Sequence, residues 1–401
     1  MSGYIDLLKT PGVARIISAQ LTARLPSGMI SLAFLIHIEK IFDSYGAAGL
    51  VLAATSVGQA IAGPLTSRWM GKLGMRPVLI ATLIVCSTGI GLIAFALMPL
   101  WAYMITGFVV GISTPPIQPA VRTIYPKMVT GKQLTPLFSL DASAQEIIWI
   151  MGPFFTVLLA TQVSSVVAIA VAGVFLVGGG IWFIASPEVG KVRIPPSRRR
   201  IGVVLKNRAV LLATVCGFLL IGSAASIEVG VVAVFGEGGT EAGILFGIWA
   251  VASLVGGLSM GHLPIGPWAL ARRFAIVVVG MAAAPFSLDF WWLALTLVIA
   301  GIGIAPVLAV MFAIVSASVK FSDTAEAYGW LGTGQLIGAA LGSAIAGFLI
   351  DGIGPIGGIY VALAFAVVGT LVAVLFRAWH PDLRGRDASP LPDTEPVQVV
   401  S

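Results

Sequence analysis

"SPEVGKVRIPPSRRRIGVVLKNR", residues 186–208, is the one long polar stretch inside a chain that is otherwise apolar almost throughout. It carries seven Lys and Arg between Lys191 and Arg208. Its position decides the fold, because the apolar runs on either side of it set the architecture.

Of the 401 residues, 58% are hydrophobic and only 10% charged, against about 25% charged in a soluble domain. A bilayer core about 30 Å thick asks for about 20 apolar residues per helical crossing. Runs of that kind centre near residues 26, 57, 87, 112, 146 and 175 before the polar stretch, and near 222, 252, 280, 304, 337 and 367 after it. The breaks between them carry ordinary turn signals such as Phe42 to Gly46, Gly131 to Lys132 and Gly352 to Pro355. The expected fold is therefore an all-α membrane protein with twelve transmembrane helices in two pseudo-symmetric six-helix bundles.

The expected boundaries are 1–185 for the first bundle, 186–208 for a basic central loop, 209–380 for the second bundle and 381–401 for a tail. That tail, "PDLRGRDASPLPDTEPVQVVS", is Pro-rich and polar without an apolar period, and reads as disordered. The amino-terminal segment lacks the pattern of a removed signal peptide, so the first run is expected to remain as a helix.

Charge sets the direction. With both termini in the cytoplasm, all 23 Lys and Arg fall on the cytoplasmic side except Lys40, which lies outside, and Arg24, which lies within the membrane. That split obeys the positive-inside rule and fixes an even number of spans. It also accounts for the net charge of +6 without a nucleic-acid partner. The expected setting is a bacterial plasma membrane, with a monomer crossing it many times.

The two halves repeat. A shift of 190 positions aligns Trp101 with Trp291, Thr106 with Thr296, Gly111 with Gly301, Pro116 with Pro306, Gln145 with Gln335 and Gly152 with Gly342. Parallel repeats about an axis normal to the membrane are a plan used by transporters.

"SRWMGKLGMRPVL", residues 67–79, resembles the G-x-x-x-D-R-x-G-R-R loop of the major facilitator superfamily. Lys72, Gly74 and Arg76 stand at family positions, while Gly71 replaces the aspartate and Ser67 the leading glycine. The resemblance implies the family's fold and a secondary transport activity, with this loop acting as a cytoplasmic gate. Without the aspartate, the family's charge network at that gate is incomplete. Gly107 in "GFVVGIS" stands where proton-coupled drug exporters carry an arginine, and "IWIMGPFF" keeps only Gly152 and Pro153 of the antiporter signature. The resemblance therefore carries no substrate.

Charges inside the spans are the candidate chemistry. Arg24 lies about 18 Å into the first span, at about 1.5 Å per residue, where a charge costs about 2.5 to 3.5 kcal/mol or more unless compensated. Gln20, Arg24, Ser27 and Ser31 recur at spacings of four, three and four, which stacks them on one face. Pro26 predicts a kink beside Arg24. In the fifth span, "PLFSLDASAQEIIWIMGPFF", Glu146 matches the depth of Arg24 and is its candidate partner, either in a structural ion pair or in one for which substrate or protons compete, with Glu146 titratable. Asp141 shares a face with Gln145 rather than with Glu146, and is expected to pair with Arg122 or to line the inner mouth of the cavity, as a substrate or proton candidate with Gln145. Glu228, in the seventh span, has no basic residue of its half at similar depth. Unpaired carboxylates of this kind are candidates for carrying a coupling proton. Glu326, beside Asp323, reads as an acid favoured at a helix start.

No Walker A loop, HExxH or nucleophile elbow is present. That pattern disfavours a primary pump or an enzyme, and no cofactor, metal site or catalytic residue is expected. Cys86 and Cys216 both fall in apolar spans and suggest neither a disulfide nor a metal. The expected function is a secondary active transporter that moves a small, amphipathic organic molecule by alternating access, as proton-coupled efflux. Two alternatives stay open: an uptake permease for an anionic metabolite held by Arg24, and a lipid translocator.

Overall fold

The computed structural model describes residues 2–197, 200–236 and 240–393. Twelve helices in it are long and apolar enough to cross a membrane. The first six are span 1 (Val13–Phe42), span 2 (Gly46–Leu73), span 3 (Met75–Phe95), span 4 (Leu100–Lys127), span 5 (Gly131–Gln162) and span 6 (Ser165–Ala185). The second six are span 7 (Arg208–Phe235), span 8 (Thr240–Met260), span 9 (Ala269–Phe286), span 10 (Phe290–Ser318), span 11 (Phe321–Ile353) and span 12 (Ile356–Leu375). Every apolar run read from the sequence is one of them.

Local chemistry sets where these helices start. Ser44 accepts from the Ala47 amide, Ser164 from Val167, Asn207 from Ala209 and Val210, and Asp289 from Trp291 and Trp292. Thr130 and Gln133 form a capping box at the start of span 5. Spans 1 and 4 are interrupted. Span 1 divides at Leu25 into Val13–Arg24 and Pro26–Phe42, and span 4 divides at the Pro115–Pro116 pair into Leu100–Ile112 and Ile117–Ile124. Both interruptions fall where proline cannot supply the ladder hydrogen bond.

The repeat seen in the sequence is a repeat of packing. Gly152 in span 5 lies against the Gly28 backbone of span 1, and its counterpart Gly342 in span 11 lies against the Gly222 backbone of span 7. Gly111 sits on the backbone of span 2 at Thr55, and Gly301 sits on span 8 at Trp249. Within the membrane helix association relies on close van der Waals contact, and small residues permit it.

The two bundles meet near one end, the terminal end, which holds Ser2–Lys9 and residues 381–393. Gly63 of span 2 touches the Gly329 backbone of span 11, and Thr333 donates to the Ala60 carbonyl at 2.8 Å. Ser139 of span 5 donates to the Gly257 carbonyl of span 8. Phe138, Phe312 and Tyr328 form an aromatic cluster across the same seam, with ring centroids 6.4 to 6.5 Å apart. Toward the opposite end, Ser27 and Ser31 of span 1 are exposed. They share the helix face of Arg24, which points to spans 4 and 5, so that face is left uncovered beyond Arg24.

The expectation of a disordered tail fails for residues 381–393. Leu383 donates its amide to Ile265, and Leu391 donates to Val319 and accepts from Phe321, so the segment runs as a strap across the terminal end. Arg386 donates to the Ala317 carbonyl, Asp393 accepts from the Ser322 amide, and Ala388 is fully buried. Asp387 lies against Gly131 at the start of span 5, so the strap spans both bundles. Residues 394–401 lie outside the described residues, as do Arg198 and Arg199 of the central loop.

Because the strap joins the bundles where they meet, its removal is expected to loosen the seam. A chain ended at His380 and carrying Ser139→Cys should react several-fold faster with a water-soluble maleimide than the full chain does. Cys86 and Cys216 are buried and leave little background. Equal rates would show that the strap does not hold the seam.

Candidate functional site

Below that uncovered face, spans 1, 4 and 5 bring together Arg24, Arg122 and Asp141. Asp141 is fully buried, and its carboxylate is well satisfied. Oδ2 accepts from Arg122 Nε at 2.9 Å, while Oδ1 accepts from the Tyr125 hydroxyl at 3.0 Å and from Gln20 Nε2 at 3.1 Å. The pairing expected between Asp141 and Arg122 is therefore present.

Arg24 makes a different set of contacts. One terminal nitrogen donates to Gln20 Oε1 at 2.8 Å, the other to Gln145 Oε1 at 2.6 Å, and Asp141 Oδ1 stands 3.9 Å away. The expected partner, Glu146, is not among them. The physical reason lies in helix geometry. Cα–Cβ bonds tilt toward the helix start, so the long Arg24 side chain reaches back toward Gln20 and the level of Asp141. Glu146 is turned by about 140° from Asp141 at about 100° per residue and faces elsewhere.

Glu146 instead faces the second bundle. It lies by Ser253 of span 8 and within electrostatic reach of Glu228, which is exposed. Ser253 also accepts from the Ala305 amide at 3.2 Å, in the turn preceding Pro306. The two carboxylates picked out by the sequence thus lie in opposite bundles within electrostatic reach of one another.

Gln145 Oε1 is shared, accepting from Arg122 at 3.3 Å as well as from Arg24. The Gln118 amide touches both Gln145 and Arg122. Arg122 also stacks on Phe312 of span 10, 3.4 Å from its centroid, a cation–π contact that joins the charged cluster to the aromatic seam. Sequence reasoning had no view of Phe312 or Tyr125, since an aromatic residue in an apolar span gives no sign of what lies on its face. Ser27, named on the polar stripe, stands above Arg24 and is exposed without a bond to the cluster.

The gate loop departs from what the resemblance implies. Arg76 donates to the Ile184 and Ser186 carbonyls at 3.1 and 3.4 Å, binding the end of span 6 within its own bundle. Gly74 has φ of +93°, a backbone region that excludes most side chains. Lys72 is exposed, and Gly71 packs by Pro195 of the central loop. The ionic contact between bundles comes from other residues: Arg68 donates to Glu326 at 2.7 Å, and Glu326 also accepts from the Gly202 amide at 2.7 Å. Glu326 is more than a helix-start acid. Arg68 lies inside the quoted loop, one residue after Ser67, so its signal was present but indistinguishable from topology charge.

Among the described residues, no group of three His, Cys, Asp or Glu is placed to hold a metal ion.

A family model described as Major Facilitator Superfamily matches residues 16–288 and 263–399. No curated protein matches the chain significantly. Among solved structures, a bacterial homologue of the iron transporter ferroportin in an outward-facing state superposes with a TM-score of 0.72 at 13% identity, covering 91% of this chain and 99% of that one. The E. coli fucose:proton symporter FucP gives 0.70 at 15%, covering 91% and 98%. The human organic anion transporter MFSD10 gives 0.65 at 16%, covering 92% and 99%. At these identities the likeness concerns the fold.

Proposed function

The chain belongs to the major facilitator superfamily, a family of secondary transporters, and from that premise we propose that it exports a small amphipathic organic molecule by alternating access, driven by protons. One observation carries the reading: Glu146 and Glu228 are set within opposite bundles, close enough to interact electrostatically, above a seam that is closed at the terminal end. Rocking of the bundles changes the distance between the two carboxylates and their access to water. Protonation therefore favours one arrangement over the other, which is what coupling requires.

The lining supports an amphipathic cargo. Span 10 carries no charge, and span 4 offers only hydroxyls and Gln118 before Arg122. The basic residues on the terminal side support placing that end in the cytoplasm of a bacterium and the membrane as its plasma membrane. In that orientation the structure corresponds to an outward-open state. Each chain holds both bundles and the cavity between them, which supports a monomer as the working unit.

The test is gradient-driven flux in proteoliposomes. Glu146→Gln and Glu228→Gln are each expected to lower pH-driven export at least tenfold while retaining exchange of labelled for unlabelled substrate. If collapsing the pH gradient leaves export unchanged and both variants export at the wild-type rate, proton coupling at these residues is wrong.

A further inference from the structure

The charge balance at the base of the cavity is uneven. Arg24 and Arg122 bring two permanent positive charges and Asp141 a single negative one, among the neutral side chains of Gln20, Gln118, Gln145 and Tyr125. Asp141 is committed to Arg122, Tyr125 and Gln20 at 2.9 to 3.1 Å. Arg24 is left with two amide oxygens, and one of these, Gln145 Oε1, is shared with Arg122. Glu146, next to Gln145 in sequence, turns toward Ser253. A guanidinium that is 11% exposed inside a membrane, held by amides and 3.9 Å from an occupied carboxylate, is a fork-shaped cation without a counter-charge of its own.

We propose that Arg24 is the subsite for the anionic head of the transported molecule, and that this molecule is a monoanion, a carboxylate or sulfonate carried on an apolar body. The proposal rests on the transport reading of the same cavity and names its substrate class. The surplus is one positive charge, so one negative charge balances it. The approach is open, since Ser27 and Ser31 lie one and two turns further along the Arg24 face and are exposed. An arriving anion takes the donors now held by Gln20 and Gln145, which releases Gln145 Oε1 to Arg122 alone. Arg122 lies on Phe312 of the other bundle, so occupancy at Arg24 is felt at the seam. An inside-negative membrane potential favours moving such an anion outward.

Three shape-matched probes test this: naphthalene-2-acetate, its amide, and 2-(2-naphthyl)ethylammonium. Binding is read by thermal stabilisation of the purified full chain. The carboxylate is expected to bind wild type at least tenfold more tightly than the amide or the ammonium. Arg24→Gln should erase that preference. Arg24→Lys, which keeps the charge without the fork, should retain the preference at several-fold weaker affinity, and it serves should the Gln variant not fold. Equal binding of carboxylate and amide, a preference for the ammonium, binding of none of the three, or an unchanged preference in Arg24→Gln overturns the proposal. Stabilisation by phosphatidylglycerol over phosphatidylcholine in nanodiscs, without any by the soluble carboxylate, assigns the anion to a lipid headgroup and also overturns it. Proton-driven flux of the amide probe with no carboxylate preference would leave the transport reading standing while this one falls.

Discussion

Asp141→Asn is expected to destabilise the protein by about 3–5 kcal/mol, the usual cost of removing one partner from a buried ion pair. Asp141 is fully buried and neutralises Arg122, whose side chain is 2% exposed. The asparagine keeps the volume and removes the charge, leaving two guanidiniums close together and each bonded to Gln145. The consequence is a large fall in apparent Tm and in the yield of monodisperse protein. Neutralising the partner as well should help, so Arg122→Gln combined with Asp141→Asn is expected to be clearly more stable than Asp141→Asn alone. Such a non-additive result is the mark of a direct pair. A single variant as stable as wild type, or a double variant whose losses simply add, would show that the pair does not hold this part of the bundle.

Adding a side chain at two glycines is expected to give two different outcomes. Gly152→Val acts inside the first bundle, where a Cβ meets the Gly28 backbone at 2.6 Å. Neither helix can withdraw without undoing the bundle, so the expected result is loss of folded protein. Gly329→Val acts between the bundles, where a Cβ meets the Gly63 carbonyl and the Pro64 Cα. Under the proposed alternating-access cycle these two surfaces separate, and the added bulk is relieved by opening the seam. The Gly329 variant should therefore fold and purify, yet react several-fold faster with maleimide through Ser139→Cys at the terminal end. If Gly329→Val fails to fold as Gly152→Val does, the seam is a fixed interface and the rocking picture is wrong there.

The helices were legible because hydropathy, proline and capping residues act locally. All twelve spans follow from those signals, while the pairing of Asp141 with Arg122 rests on two opposite charges near the same end of consecutive spans. Depth counting found the level of Arg24's partner but not its face: Gln145, one residue before Glu146 and turned by about 100° from it, takes the bond. The replacement of the gate aspartate by Gly71 was visible, but the contact between Arg68 and Glu326 joins residues 258 positions apart and has no local signature. The tail misled for a related reason. Its composition is that of a disordered segment, while its order comes from backbone hydrogen bonds to Ile265, Val319 and Phe321 that composition does not encode.

The strap has a practical consequence. Its exposed turn at Gly385 lies between Leu383, held by the second bundle, and Asp387, set against the first. A fluorophore attached at that turn sits over the joint between the two moving bodies without touching the cavity. Its emission would follow the transport cycle in unmodified proteoliposomes, giving each molecule an indicator of its own conformation that needs no knowledge of the substrate.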